Sequence, residues 1–320
     1  MWHLFCKVID NFGDAGFALR LSRALCLTFS QNVILWIDQP DLIAKMLADE
    51  KIARFRFLPW QDESSFFSLQ THDVVVELFS CSLPDFALKK IKQTQNDFVW
   101  LSLDYLGLEN WVNDFHLQPS FQQNNRVKYF YFPSFFQQSG GVIFEKRALP
   151  KAFDFKNPFK INVFLYDETF VPCLDESCQL DFLNKKNFTS QRHFDWALDQ
   201  AALNLVRGED SFVRAIFSGR PFVWQAYPQQ ENAHFQKVHA FLDFFAPFLD
   251  DSIRLDVLDF FYYLNAMPLL NPNICFQSLL CSDRFLIWQN NVRHFAQTLL
   301  KEKSLPERLM DFVKLKKIRS

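Results

Sequence analysis

Glycine is scarce in this chain, with seven in 320 residues. Few positions are available for the tight turns that cradle phosphate groups, so each glycine is more informative than usual. No G-x-x-x-x-G-K-S/T run occurs, and Gly13-x-x-Gly16 is only a fragment of the dinucleotide-binding fingerprint. The seven cysteines (Cys6, Cys26, Cys81, Cys173, Cys178, Cys275, Cys281) are odd in number and form no C-x-x-C pair, which reads as buried free thiols. The seven histidines lack H-x₃-H and H-E-x-x-H spacing, leaving a protein-built metal site with little support. No window approaches the ~20 apolar residues that span a bilayer, and the first residues lack a basic region leading into an apolar core with a cleavage site. A cytoplasmic protein is the expectation. Charge of one sign is missing too: 34 basic against 36 acidic residues leave −2, which speaks against nucleic acid and anionic membranes as partners. Any charged ligand must be met by local groups.

What is abundant is apolar and aromatic: 49% of residues are hydrophobic, with 40 phenylalanines and eight tryptophans, enough to fill two cores. The first half alternates short apolar runs with helical patterns: "HLFCKVI" then 15–30, "NVILWI" then 40–49, "RFRFLPW", "DVVVELF" then 84–93, and "DFVWLSLDYL". Runs apolar on both faces in a βαβα rhythm predict a mainly parallel sheet covered by helices, a Rossmann-like unit. "RALPKAFDFKNPFK" (147–160) interrupts the rhythm and "INVFLYD" starts a new strand, which places a domain boundary at 152/153. Beyond it, "AALNLVRGEDSFVRAIFSGRPFVWQAYP" reads as strand, turn, helix, turn, strand, and most of 233–315 reads as helical. The expected organisation is 1–152 and 153–302 as two Rossmann-like domains facing a cleft, with 303–320 a C-terminal helix packing back on the first.

Two turns at strand ends carry the chemistry, since ligands of such sheets sit beyond the carboxyl ends of the strands. "RGEDS" (207–211) offers helix N–H groups, Asp210 or Ser211 as cap, and the adjacent Arg207, an anion site suited to a diphosphate. "DNFGDAG" (10–16) reads as a turn with Gly13 at positive φ and Asp14 near the N-cap, yet Asp10 and Asp14 together exceed what one cap requires.

With their neighbours, these turns resemble a known family, the bacterial protein-arginine rhamnosyltransferases that modify elongation factor P, called EarP. The resemblance runs nearly end to end and rests on six blocks in order: "DNFGDAG", "LDYLGLENWV" (103–112) with "FHLQPS" (115–120), "YFPSFFQQSGGVIFE" (131–145), "VFLYDE" (163–168), "RGEDSFVRA" (207–215) and "RPFVWQAYPQQENAHFQKVHAFL" (220–242). It implies a GT-B glycosyltransferase that moves L-rhamnose from dTDP-β-L-rhamnose to one arginine of elongation factor P with inversion, without a cofactor or metal.

Residue by residue, the resemblance implies Asp14 as general base, Asp10 as its support and Glu209 as required for turnover. Asn11, Phe12, Gly13 and Gly16 complete the acceptor block, the glycines letting an arginine approach the backbone. The nucleotide site is implied at Phe164 and Tyr166 and at an F-x-x-Q-x-x-F spacing, Phe188, Gln191 and Phe194, followed by Trp196, Asp199 and Asn204. Phe188 or Phe194 can stack on thymine and Gln191 can hydrogen-bond its edge, while Tyr166, Arg207, Gly208, Asp210 and Ser211 hold the diphosphate. The chain departs from the family in one respect: only 21 residues separate Tyr166 from Phe188, where the family places a further strand and helix, so the C-terminal sheet is expected to be trimmed. Asp104, Tyr105, Glu109 and Trp111, near a strand end, are expected to help dock the acceptor protein. Two alternatives stay open: a GT-B transferase with another nucleoside diphosphate sugar or acceptor, and a non-catalytic protein that binds elongation factor P or a nucleotide.

Overall fold

The computed structural model describes residues 1–319 except 10–11, 49, 61–67, 156–158, 173–177 and 184–189. The chain divides into two compact units, residues 1–143 with 303–320, and residues 144–302.

In the first unit the apolar runs form β1 (Trp2–Cys6), β2 (Val33–Ile37), β3 (Phe55–Pro59), β4 (Val74–Leu78) and β5 (Val99–Leu103). They are followed by β6 (Pro119–Phe121) and β7 (Val127–Tyr131). The sheet order is β3-β2-β1-β4-β5-β7-β6, parallel throughout except for the antiparallel β6–β7 pair. Every residue of β1, β2, β4 and β5 is buried, as the two-faced apolar runs predict. Around the sheet lie α1 (Phe12–Leu27), α2 (Pro40–Leu47), α3 (Asp85–Gln93), the short α4 (Trp111–Phe115) and, from the end of the chain, α10 (Leu305–Arg319). The Phe312 ring of α10 meets Tyr129 of β7 edge-on at 5.3 Å, and Leu305 N–H donates to the Val142 carbonyl at 2.8 Å.

The second unit has a four-stranded parallel sheet, β8 (Phe159–Phe164), β9 (Cys178–Phe182), β10 (Leu203–Arg207) and β11 (Phe222–Gln225), in the order β11-β10-β8-β9. Its helices are α5 (Gln191–Gln200), α6 (Glu209–Ser218), α7 (His234–Phe245), α8 (Asp251–Leu264) and α9 (Ser282–Leu299). The phenylalanines find their use here: Phe212 stacks on Trp224 with centroids 4.4 Å apart and meets Phe241 edge-on at 4.7 Å, while Phe245 packs on Phe295 at 4.9 Å.

The division falls at 143/144 rather than 152/153 because the proline- and lysine-containing stretch belongs to the second unit. The Phe144 ring packs on Phe217 at 4.7 Å, Arg147 forms a two-pronged ion pair with Asp199 (3.0 and 3.2 Å), and Arg293 donates to the Pro150 carbonyl at 2.6 Å. Among the described residues no helix is long and apolar enough to cross a membrane.

The first unit carries a histidine that titrates out of its usual range. His116, largely buried, accepts the Phe132 N–H at Nδ1 (3.1 Å), and burial, helped by the Arg308 charge, lowers its pKa to about 4. The unfolded chain takes up that proton near pH ~6.5. The contribution to stability is therefore complete above pH ~6.5 and falls by roughly 1.4 kcal/mol per unit down to about pH 4, some 3 kcal/mol in all. Thermal melts of the wild type and His116→Asn are expected to diverge in slope over that window; parallel curves would disprove the assignment.

Candidate active site

All strands of the first sheet around β1 run parallel, so the ends of β1, β4 and β5 open on one edge, and three segments meet there. Helix α1 begins at Phe12, which makes Asp14 its third residue rather than its cap. Asp14 is 2% exposed and turns back on the chain: the Ile9 N–H donates to Oδ2 at 2.7 Å. A carboxylate in this place completes the donors of the entering turn and lies favourably toward the positive end of the helix. From β5, the Tyr105 hydroxyl donates to Asp14 Oδ1 at 3.2 Å. From β4, the Phe79 ring, on a backbone with φ 58°, stacks on Tyr105 at 4.4 Å and meets Phe17 of α1 edge-on at 5.2 Å. The thiol of Cys6 is pushed up well above its usual pKa, first by burial and then by the charge of Asp14. It is a protonated core thiol beside the carboxylate.

Asp10 and Asn11 lie outside the described residues. Gly13 differs from expectation: it is inside the first turn of α1, and its φ is not positive. Helix formation from Phe12 onward, with Asp14 bonded back to Ile9, removes the need for a left-handed residue there. Gly16 is buried one turn later in the same helix.

The segment after Tyr105 is held by its own acids. Asp104 accepts the Tyr105 N–H (2.8 Å) and the Ser80 hydroxyl (3.3 Å), and Glu109 accepts the Leu108 N–H (2.9 Å). Trp111 and Phe115 are exposed neighbours on α4, with ring centroids 6.2 Å apart.

In the second unit the corresponding edge is built around Arg207, the last residue of β10. Its guanidinium lies over the Phe164 ring at 4.7 Å and the Tyr166 ring at 4.5 Å, which brings three of the expected donor-site residues together. Tyr166 is fixed by its N–H, which donates to Gln225 Oε1 at 2.7 Å, and by Tyr227, edge-on at 5.3 Å. Gly208 follows with φ 67° and ψ 172°, a conformation essentially confined to glycine. It is also the N-cap of α6, and it caps without a side chain, so neither Asp210 nor Ser211 takes the capping role expected of them. The first turn of α6 thus places the start of a helix beside a stacked guanidinium, an arrangement suited to an anion.

Two basic residues outside the expected set hold the acids of this turn. Lys237 of α7 pairs with Glu209. Arg214 donates from Nε to Asp195 Oδ1 (2.7 Å), from one terminal nitrogen to the Gln191 carbonyl (2.8 Å) and from the other to Asp210 Oδ2 (3.5 Å). Its guanidinium also lies over the Phe194 ring at 4.8 Å, and Phe194 meets Phe164 edge-on at 5.4 Å. Arg214 therefore ties Gln191 and Phe194 of α5 to the first turn of α6. Ser211 is partly exposed in the same turn, Gln191 is buried, and Phe188 lies outside the described residues. Asn204 is interior, accepting from Asn162 at 2.9 Å and donating to the Leu198 carbonyl at 3.1 Å, and Asp199 is taken by Arg147. Both belong to the scaffold.

Signals for the two additional residues exist in the sequence. Asp210 and Arg214 are four apart on one helix, and both Arg214 and Lys237 fall inside blocks that carry the family resemblance.

A family model described as Elongation-Factor P (EF-P) rhamnosyltransferase EarP matches residues 2–177 and 175–314. A protein-arginine rhamnosyltransferase of Neisseria meningitidis serogroup B is 31% identical over 384 aligned positions, covering 99% of this chain and 98% of that protein. The protein-arginine rhamnosyltransferase of Pseudomonas aeruginosa is 28% identical, covering 83% and 87%. Among solved structures, one described as the structural basis for EarP-mediated arginine glycosylation of translation elongation factor EF-P is 20% identical, with a TM-score of 0.50 and 98% of each chain covered. That likeness gives the fold: two Rossmann-like units of the GT-B class.

Proposed function

The chain belongs to the EarP family of elongation factor P rhamnosyltransferases, and from that premise we propose that it transfers L-rhamnose from dTDP-β-L-rhamnose to an arginine side chain of translation elongation factor P, inverting the anomeric carbon. The observation that carries the reading is the carboxylate of Asp14, buried at the first turn of α1 and held by the Ile9 N–H and the Tyr105 hydroxyl.

Guanidinium, with a pKa near ~13.8, is a poor nucleophile, and a carboxylate near ~4 cannot deprotonate it beforehand: the gap of roughly 10 units corresponds to about 13 kcal/mol. Forming a bond from a cationic nitrogen to a sugar carbon raises the acidity of that nitrogen steeply. The proton therefore leaves late: the N–C1 bond forms, the bond from C1 to the diphosphate oxygen breaks with its electron pair, and Asp14 takes the proton. Before that step Asp14 and Asp10 hold the guanidinium and draw its charge away from the reacting nitrogen. A single displacement from the face opposite the leaving group inverts C1 and needs no covalent sugar–enzyme intermediate.

On the donor side, Arg207, stacked on Phe164 and Tyr166, and the N–H groups that follow Gly208 neutralise the departing diphosphate, so the reading assigns no metal to the site. Lys237 offsets the charge of Glu209, and the reading assigns the glutamate to the sugar or ribose hydroxyls. Gln191 and Phe194, held by Arg214, take the base.

Incubating the protein with dTDP-β-L-rhamnose and elongation factor P and measuring the intact mass of the acceptor is the direct test. One added deoxyhexose, removed by substituting the acceptor arginine, is expected. An unchanged mass with this donor, or a gain only with a UDP-, GDP- or ADP-sugar, refutes the reading.

A further inference from the structure

We propose that Tyr105 is a positioning residue for the proton transfer: its hydroxyl, donated to Asp14 Oδ1, fixes which carboxylate oxygen meets the acceptor nitrogen and keeps Asp14 ionised until the bond forms. The inference rests on the reading of Asp14 as the base, and it gives Tyr105 a role inside the site instead of a docking one.

The two oxygens of Asp14 are held by different kinds of donor. Oδ2 accepts from a backbone N–H at 2.7 Å, a group that cannot turn away without unwinding the entry to α1. Oδ1 accepts from a hydroxyl at 3.2 Å. A phenolic hydroxyl rotates about its C–O bond at little cost, so it can donate to the ionised oxygen and then swing to a remaining lone pair when a proton arrives. Of these two contacts the one at Oδ1 can re-aim as the guanidinium proton arrives, while the one at Oδ2 is fixed by the backbone. The tyrosine ring is in turn fixed face-on by Phe79 at 4.4 Å, and Phe79 is fixed edge-on by Phe17 at 5.2 Å. Phe17 sits three residues beyond Asp14 on α1, so the stack returns to the helix that carries the carboxylate. Its other end comes from the chain immediately after β4, where Phe79 holds φ 58° and its N–H donates to the Leu103 carbonyl at 2.6 Å. Three strand ends are thus locked together around one carboxylate, an arrangement in excess of what packing a single tyrosine requires.

A hydroxyl donated to a carboxylate favours its charged form and lowers its pKa. Removing that hydroxyl alone raises the pKa of Asp14 and lets its side chain turn.

Tyr105→Phe, which keeps the ring on Phe79, is compared with the wild type and Asp14→Asn in kcat, in KM for elongation factor P and in the pH dependence of kcat. Tyr105→Phe is expected to lower kcat roughly ten- to hundredfold with KM nearly unchanged, as misplacement of a reacting group does. It also moves the acidic limb of the profile to higher pH. In parallel, the carboxyl carbon of Asp14, labelled with ¹³C and assigned by its loss in Asp14→Asn, is titrated by NMR without any substrate. Its midpoint is expected to rise in Tyr105→Phe. The positioning role is overturned if that midpoint and the acidic limb stay where they are, or if KM rises while kcat holds, the result for a docking residue. Failure of the parent reading looks different: Asp14→Asn stays active, or the wild type fails to modify the acceptor, while the NMR titration still reports on Tyr105.

Discussion

Asp14→Asn is expected to reduce rhamnosylation of the acceptor by about 10³-fold or more while leaving the first unit folded. The size follows from the role: a positioned general base contributes roughly 10²–10⁴-fold, and a guanidinium that cannot be deprotonated in advance has no alternative route for its proton. The fold survives because asparagine is isosteric: its carbonyl oxygen can keep the Ile9 N–H, and its amide can face the Tyr105 oxygen. What the helix loses is one negative charge in its first turn, worth about 0.3–1 kcal/mol. Circular dichroism and a melting curve next to intact-mass kinetics separate the two effects. A variant that melts like the wild type and retains more than a tenth of its kcat removes Asp14 from the chemistry. A protein that only binds elongation factor P or a nucleotide would be indifferent to this substitution, so the same measurement decides between catalysis and binding.

The sequence and the structure agree where local chemistry decides and part where long-range pairing does. β1, β2, β4 and β5 are legible because segments such as "VILWI" and "VVVEL" are apolar on both faces, a pattern that only a covered sheet can satisfy. The strand–turn–helix at Arg207, Gly208 and Glu209 is legible for a related reason, since a lone glycine after a strand and before a helical pattern marks a special backbone. β9 and α5 carry weak signals: "CQLDF" is half exposed and "QRHFDWALDQ" mixes acids, amides and aromatics. The pairing of Tyr105 with Asp14 spans 91 positions and exists only because β1, β4 and β5 are neighbours. That of Glu209 with Lys237 spans 28 and depends on where α7 lies against α6. Gly13 shows the opposite error. A glycine between two aspartates suggests a left-handed turn, but the bond from Ile9 to Asp14 lets the helix begin first.

Arg214→Ala is expected to destabilise the second unit by about 3–5 kcal/mol, the usual consequence of removing one partner of a buried ion pair. The arginine side chain is 7% exposed and its partner Asp210 only 9%, so little solvent reaches the pair. Asp195, 48% exposed, adds little to that figure. Truncation also removes the bond from the guanidinium to the Gln191 carbonyl and strips the cation from the face of Phe194. For a unit of this size each kcal/mol shifts Tm by roughly 2–4 °C, which predicts a fall of at least 6 °C for the transition of residues 144–302. Arg214→Lys keeps the charge but replaces a planar fork that reaches α5 and α6 together with a single ammonium, so an intermediate melt is expected. Function separates in the same series. Because Gln191 and Phe194 depend on Arg214 for their place beside the first turn of α6, the stabilisation given by dTDP should disappear in Arg214→Lys even at temperatures where the unit is fully folded. A lysine variant that melts lower yet still gains the full wild-type shift from dTDP would show that Arg214 holds the unit together without shaping the nucleotide site.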